Sequence, residues 1–363
     1  MPKALILVGG QGTRLRPLTC NTPKPMVPVI NVPFLEHVIR NLRQHGVAEI
    51  VLAQHHLPRP MADYFGDGRR FGVSLTYVME DTPRGTAGAV KNAERYLDCT
   101  FFVLNGDIFH DRDFTAILDF HQRNQAKATI VLTPVEDPSA YGVVETDAAG
   151  KVRAFIEKPK REEATSNMIN AGTYVLEPDV LGRVPEGVKH SFERELFPGL
   201  LQDNQPVYAY SCRNYWMDTG TPEKYLQLHR DLLDGKCEGY VVHRDVEVGA
   251  GCRIHPSVKM SGKVVIADGC VIEEGVEIDG PVVLGAHCRV GKGAHVSDSV
   301  LWERVTVGAW ARMQVSALAN DCVIGEGARL SDAVLGDHVT VDAGMVVPPG
   351  ARIHPPGEEP HAT

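Results

Sequence analysis

Leu7-Val-Gly-Gly-Gln-Gly-Thr-Arg-Leu-Arg-Pro-Leu-Thr19, with Pro23-Lys-Pro-Met26 close behind, decides how this chain is read. An apolar run, Ala4 to Val8, ends in Gly9, Gly10 and Gly12, and Arg14, Arg16 and Lys24 follow. A buried strand that breaks into glycines presents backbone N–H groups at the sheet edge with no side chain in the way. The cations behind it can neutralise a polyphosphate. The phosphate-loop pattern needs Lys followed by Ser or Thr, which Thr13-Arg14 does not supply. The dinucleotide fingerprint started at Gly10 needs a glycine at Leu15. A lone glycine turn after a strand is more often plain punctuation, but glycines followed by cations point to nucleotide chemistry, and neither of these two motifs accounts for the stretch.

The 363 residues predict two domains. A net charge of −9 argues against a nucleic-acid surface, so the basic loop is a local feature. No run approaches the roughly 20 apolar residues of a membrane span. The apolar start is too short for a signal peptide and reads as a first strand. Eight cysteines contain no Cys-x-x-Cys pair, which weakens zinc and redox readings and fits a reducing cytoplasm.

Strand-like and helix-like segments alternate through the first part of the chain. Ala4–Val8, Glu49–Gln54, Ser74–Met79 and Phe101–Leu104 read as buried strands, with helices at Phe34–His45, near Pro60–Phe65 and at Thr86–Leu97. That order predicts an α/β, Rossmann-like domain with a mainly parallel sheet, whose ligands sit at the carboxyl ends of its strands. Strands dominate from about 128 to 219, and Thr221–Leu233 reads as an exit helix. After Gly235 the pattern changes. Val248, Ile254, Met260, Ile266, Ile272, Ile278, Leu284, Val290, Val296 and Trp302 lie six residues apart. At 43% hydrophobic residues, ten such hits in one phase have a chance of about 0.0002 before allowing for six phases. A hexad period predicts a parallel β-helix with one inward aliphatic per face. Cys252, Cys270 and Cys288, eighteen apart, should stack in one column that Cys322 rejoins after the phase shortens by one residue beyond Trp302. The expected domains are 1–235 and 236–363.

The opening motif closely resembles the signature of the nucleoside-diphosphate-sugar pyrophosphorylases, or sugar-1-phosphate nucleotidyltransferases, GGxGTRLxPLT followed by PKPM. The second domain resembles the left-handed parallel β-helices that many members carry. The resemblance implies Mg²⁺-dependent transfer of a nucleotidyl group from a nucleoside triphosphate to a sugar 1-phosphate. It places Leu7, Gly9, Gly10, Gly12, Thr13, Glu80, Gly85 and Thr86 around the nucleotide, and Arg14 and Lys24 on its phosphates. Asp107 (Asn105-Gly-Asp) and Asp218 (Trp216-Met-Asp-Thr-Gly) become the metal ligands. Gly142, Glu157, Lys158 and Asn170 take the sugar phosphate. The attacking phosphate is already ionised, so no histidine is needed as a base.

Glu80 stands where many thymidylyl and uridylyl enzymes have glutamine. A carboxylate only accepts hydrogen bonds, and guanine offers two adjacent donors, so GTP is favoured. Several strings, including Val135–Val144 and Ser191–Pro198, resemble mannose-1-phosphate guanylyltransferases, while Gly106 replaces a serine common there and Gln11 an aromatic. Transfer to glucose 1-phosphate from dTTP or UTP, and a non-catalytic nucleotide-sugar-binding paralogue, stay open at this point. The flat faces of a β-helix predict a homo-oligomer.

Overall fold

Lys3–Leu7 lies inside the first sheet, paired in parallel with Glu49–Gln54 on one side and Phe101–Asn105 on the other. The structure is a computed structural model that describes residues 2–55, 58–240, 242 and 244–358. It separates into two compact units, Met1–Gly10 with Leu35–Trp216, and Gln11–Phe34 with Met217–Thr363.

In the first unit, Ser74–Met79 extends the parallel half. Met168–Leu176 then runs antiparallel beside Phe101–Asn105 and carries the antiparallel half, which includes Ala128–Pro134, Gly142–Thr146 and Val152–Glu157. Leu5, Val51, Ala53 and Val78 form one apolar face, covered by Ala87, Ala89 and Val90 of the helix Gly85–Asn92. That helix is shorter than expected: at Ala93 the chain tightens into a 3₁₀ turn, Glu94–Tyr96. The helix Phe114–Arg123 was not anticipated, although its cap was legible: the Asp113 carboxylate accepts from the Ala116 N–H at 2.9 Å.

The second unit is dominated by a parallel β-helix with three inward columns. Ile254, Ile272, Val290, Val307, Ile324 and Val341 form one. Met260, Ile278, Val296, Met313, Leu330 and Val347 form the second. The third runs from Val248 through Ile266, Leu284, Leu301, Leu318 and Leu335 to Ile353. Each fully buried aliphatic contributes about 1.5–3 kcal/mol, so the stack is held by its columns. One corner repeats as Gly251, Gly269, His287, Arg304, Asp321 and His338, all with φ between 58° and 70°. The cysteine column is present, and Cys270, Cys288 and Cys322 each donate a thiol to a backbone carbonyl at 3.0–3.1 Å.

Two expectations need correction. The change from eighteen to seventeen residues occurs before Trp302: Asp279 pairs with Ser297 but Val282 with Ser299, so Gly280 and Pro281 face Asp298 alone. Leu301 therefore takes the inward place, and Trp302 points outward. It is buried all the same, because its indole Nε1 donates to the Tyr225 hydroxyl of the helix Pro222–Leu233 at 2.9 Å. Val248 is 47% exposed, since it stands in the first coil, whose strand pairs only with the next.

Helix Pro222–Leu233 docks on the β-helix by a second contact, the two-pronged pair of Arg230 with Asp298 at 2.7 and 2.8 Å. The segment Gln11–Phe34 joins this unit through Tyr225, whose hydroxyl donates to the Pro28 carbonyl at 2.6 Å, and Asn31, whose amide donates to the Leu284 carbonyl at 3.0 Å. Tyr225→Phe leaves the Trp302 N–H and the Pro28 carbonyl without this partner. We expect a loss of about 1–3 kcal/mol in urea unfolding. An unchanged midpoint would show that the docking does not depend on this hydroxyl.

Candidate active site

The expected site residues fall on both units, and each half has its own geometry. In the first unit, Leu7 ends the inner strand and its carbonyl accepts from the Gly106 N–H at 3.0 Å. A Cβ at 106 would stand 2.7 Å from that carbonyl and 2.9 Å from Val8 Cγ1, so the Gly106 departure has a packing reason. This approach sets Asp107 just beyond the strand Phe101–Asn105, beside the end of Lys3–Leu7. Gly9 lies against His55 and Gly10 has nothing within 4 Å of where a Cβ would be.

Glu80 follows the strand Ser74–Met79. Its N–H donates to the Gln54 carbonyl at 2.8 Å, and its carbonyl pairs with His55 Nδ1 at 2.9 Å. The side chain is buried and Oε1 has no hydrogen-bond partner. Burial raises the carboxyl's pKa above the usual glutamate range, against the opposing pull of the Arg84 backbone N–H. Gly85 opens the next helix at φ 73°, where a Cβ would strike the His190 carbonyl at 2.7 Å. The Thr86 hydroxyl donates to Glu193 at 3.1 Å and accepts from the Phe192 N–H at 2.9 Å, so it is tied to the half of this unit expected to take the sugar phosphate.

That half is an interlocked carboxylate cluster. Gly142 pairs with Glu157 across two strands, and a Cβ at 142 would sit 2.9 Å from Glu157 Oε2 and 2.6 Å from the Phe155 ring. Burial first, and then the charge of Glu193, hold the Glu157 carboxyl above its usual range. Asn170 donates to the Tyr174 hydroxyl at 2.8 Å, and that hydroxyl donates to Glu193 at 3.2 Å. Lys158 is exposed in the left-handed region, φ 50°, its N–H held by the Tyr141 carbonyl at 3.0 Å. Glu193 had no assigned role in the sequence reading. It accepts from Thr86, Tyr174 and Ser191, and only folding brings these together.

In the second unit, Gly12 (φ 62°) turns the chain into a 3₁₀ turn, Thr13–Leu15. A Cβ there would crowd Thr19 and Lys24 at 3.2–3.3 Å, and the Thr19 hydroxyl donates to the Gly12 carbonyl at 2.7 Å. Lys24 sits between two prolines, only 7% exposed. Asp218 Oδ2 faces Arg14 at 4.0 Å and Lys224 at 3.6 Å. Its Oδ1 is buried with no hydrogen-bond partner. A Cβ at Gly220 would lie 2.9 Å from Arg14 Nη2 and 3.0 Å from Asp218 Oδ1, which explains the glycine of the Trp-x-Asp-x-Gly string. A hard, buried, unpartnered carboxylate oxygen is the donor that Mg²⁺ takes, so this residue fits the metal. Lys224 was missed, because its role follows from the turn at Thr221, which caps the helix.

The profile described as nucleotidyl transferase matches residues 3–235, and one described as GMPPB C-terminal domain matches 260–356. The chain belongs to the nucleotidyl transferase family. Similar relatives include a "Mannose-1-phosphate guanylyltransferase" of Mycobacterium tuberculosis (strain ATCC 25618 / H37Rv), 40% identical over 72% of this chain and 74% of that one. A "Probable mannose-1-phosphate guanylyltransferase 3" of Oryza sativa subsp. japonica is 37% identical over 86% and 89%. A "UTP--glucose-1-phosphate uridylyltransferase" of Synechocystis sp. (strain ATCC 27184 / PCC 6803 / Kazusa) is also 37% identical, over 86% and 85%. Among solved structures, HddC from Yersinia pseudotuberculosis complexed with GMP-PN superposes with a TM-score of 0.55 at 29% identity, covering 63% of this chain and 98% of that one.

For this nucleotidyl transferase the buried Glu80 makes a pH prediction. Its folded pKa is raised, so the folded state binds more protons than the unfolded state, and stability falls as pH rises through that raised value. Glu80→Gln should remove this part of the slope and unfold at higher urea at neutral pH. An unchanged stability-against-pH profile would contradict the burial of an ionising carboxyl here.

Proposed function

We propose that this chain transfers a guanylyl group from GTP to mannose 1-phosphate, releasing pyrophosphate and GDP-mannose. The observation that carries the choice of base is Glu80, a buried carboxylate at the sheet's carboxyl edge with one oxygen unpartnered. Guanine N1–H and the N2 amino group are two adjacent donors that satisfy such an acceptor, whereas uracil and thymine would set carbonyls against it. The guanylyltransferases among the relatives support the same reading.

The reaction brings two anions together, so neutralisation and alignment are the main catalytic tasks. Gly9, Gly10, Gly12 and Thr13 line the triphosphate with backbone donors. Arg14, a planar fork, takes the leaving pyrophosphate, and Lys24 faces the α-phosphate as charge builds there. Gly142, Glu157 and Asn170 hold the sugar hydroxyls, and Lys158 pairs with the sugar phosphate. The phosphate oxygen of mannose 1-phosphate attacks the α-phosphorus without giving up a proton, and the bond to the β-phosphate breaks. Asp107 and Asp218 are the residues that would hold Mg²⁺, which when bound screens the phosphate charges. In this reading residues 1–235 form the catalytic domain, and 236–363 serve assembly as a homo-oligomer. All eight cysteines are free thiols, which suits the cytoplasm.

A matrix of nucleoside triphosphates against sugar 1-phosphates, read by released pyrophosphate, tests the proposal. GTP with mannose 1-phosphate should lead; high turnover with dTTP or UTP and none with GTP would overturn it. Asp218→Asn should lower kcat roughly 100-fold or more at limiting Mg²⁺ while leaving the far-UV spectrum unchanged. Wild-type turnover under those conditions would remove Asp218 from the site.

A further inference from the structure

We propose that Cys20, His354 and Glu358 form a binding site for a borderline-soft divalent cation, with Zn²⁺ the best fit, separate from the carboxylates assigned to Mg²⁺. The three side chains each offer one ligand atom, and these atoms all lie within 4.8 Å of one another. Cys20 Sγ and His354 Nδ1 are 3.7 Å apart. Sulfur and nitrogen ligands on one tetrahedral zinc, at about 2.3 and 2.0 Å from it, stand roughly 3.5 Å from each other. The pair is thus close to ligating distance already. A thiolate with an imidazole selects zinc over magnesium, which prefers oxygen throughout. Glu358 is exposed, so the fourth position opens to water, the arrangement of a site with three protein ligands.

The ligands come from opposite ends of the sequence but from one compact unit. Cys20 lies on the loop between Thr19 and Lys24, and His354 follows the last described strand of the β-helix, Arg352–Ile353. The same loop is held next door, where the Asn21 amide donates to Asp337 Oδ2 at 3.2 Å. Asp337 is itself fixed, its Oδ1 accepting from the Asn320 N–H and amide at 3.0 and 3.1 Å. Pro355 is buried against Gly336, which leaves no room for a Cβ there, so the backbone after His354 is anchored too.

The position carries a consequence. Thr19, directly before Cys20, holds the Gly12 carbonyl, and Gly12 packs on Lys24. A metal on Cys20 therefore braces the glycine turn from outside, and its loss loosens that turn. This regulatory consequence rests on reading Gly12–Lys24 as the phosphate loop; the metal binding itself does not.

Titrating metal-free, full-length protein with Co²⁺ and then Zn²⁺ in the absence of substrate reads the site, and a separate GTP titration with and without one equivalent of Zn²⁺ reads the brace, which predicts tighter GTP binding with Zn²⁺. One Co²⁺ per chain should give a thiolate-to-metal charge-transfer band, displaced by one equivalent of Zn²⁺ and untouched by excess Mg²⁺. Cys20→Ser should abolish the band. His354→Asn and Glu358→Gln should weaken Zn²⁺ by at least the roughly 10–100-fold known for lost supporting groups. Glu358 is exposed, so its variant keeps the fold in hand. No thiolate band, or a band that survives Cys20→Ser, would overturn the site. Normal binding with no effect of Zn²⁺ on the apparent affinity for GTP would confirm the site and reject the brace.

Discussion

Two buried carboxylate oxygens without protein partners, Asp218 Oδ1 and Glu80 Oε1, are the constraint around which this protein is arranged. Burying a polar atom unpaired costs several kcal/mol, and a charged one more. Such atoms persist where the surroundings hold them in place and a ligand satisfies them. Around Asp218 the support is electrostatic, with Arg14 and Lys224 on the other oxygen and Gly220 leaving the room. Around Glu80 it is the backbone of Gln54 and Arg84.

The β-helix gives the first of these arrangements, the one around Asp218, a rigid base. Its three inward columns fix the coils, and the coils fix the outward side chains that grip other segments. Trp302 and Asp298 hold the helix Pro222–Leu233, which carries Lys224 and begins just after Asp218. Leu284 and Asp337 hold the segment that contains Gly12, Arg14 and Lys24. The domain from which a homo-oligomer was expected thus also holds the segment Gln11–Phe34 in place.

Much of the fold was legible because it rests on short periods. The hexad repeat exposed the β-helix, and the cysteine spacing confirmed its pitch. The place where the pitch changes was misjudged, since Leu301 and Trp302 are adjacent and both apolar, and hydrophobicity cannot say which faces inward. The helix after Asp113 was passed over despite a readable cap. At the candidate site, the string Trp216-Met-Asp-Thr-Gly220 made Asp218 a candidate, and the fold sets Gly220 against its carboxylate. Glu193 was missed because its partners Thr86 and Tyr174 lie 107 and 19 residues away, and Lys224 because only the turn at Thr221 brings it to Asp218.

By itself, then, the sequence determined the glycine turn, the inward columns and the chemistry of each motif, since these depend on residue type and local spacing. Only the tertiary structure decided that Gln11–Phe34 packs with the C-terminal unit, that Trp302 is buried from outside the coil, and that Cys20 meets His354. The reason is the same in each case. Such contacts join segments separated by 77 to 334 residues, and no local preference encodes which distant partner a side chain will meet.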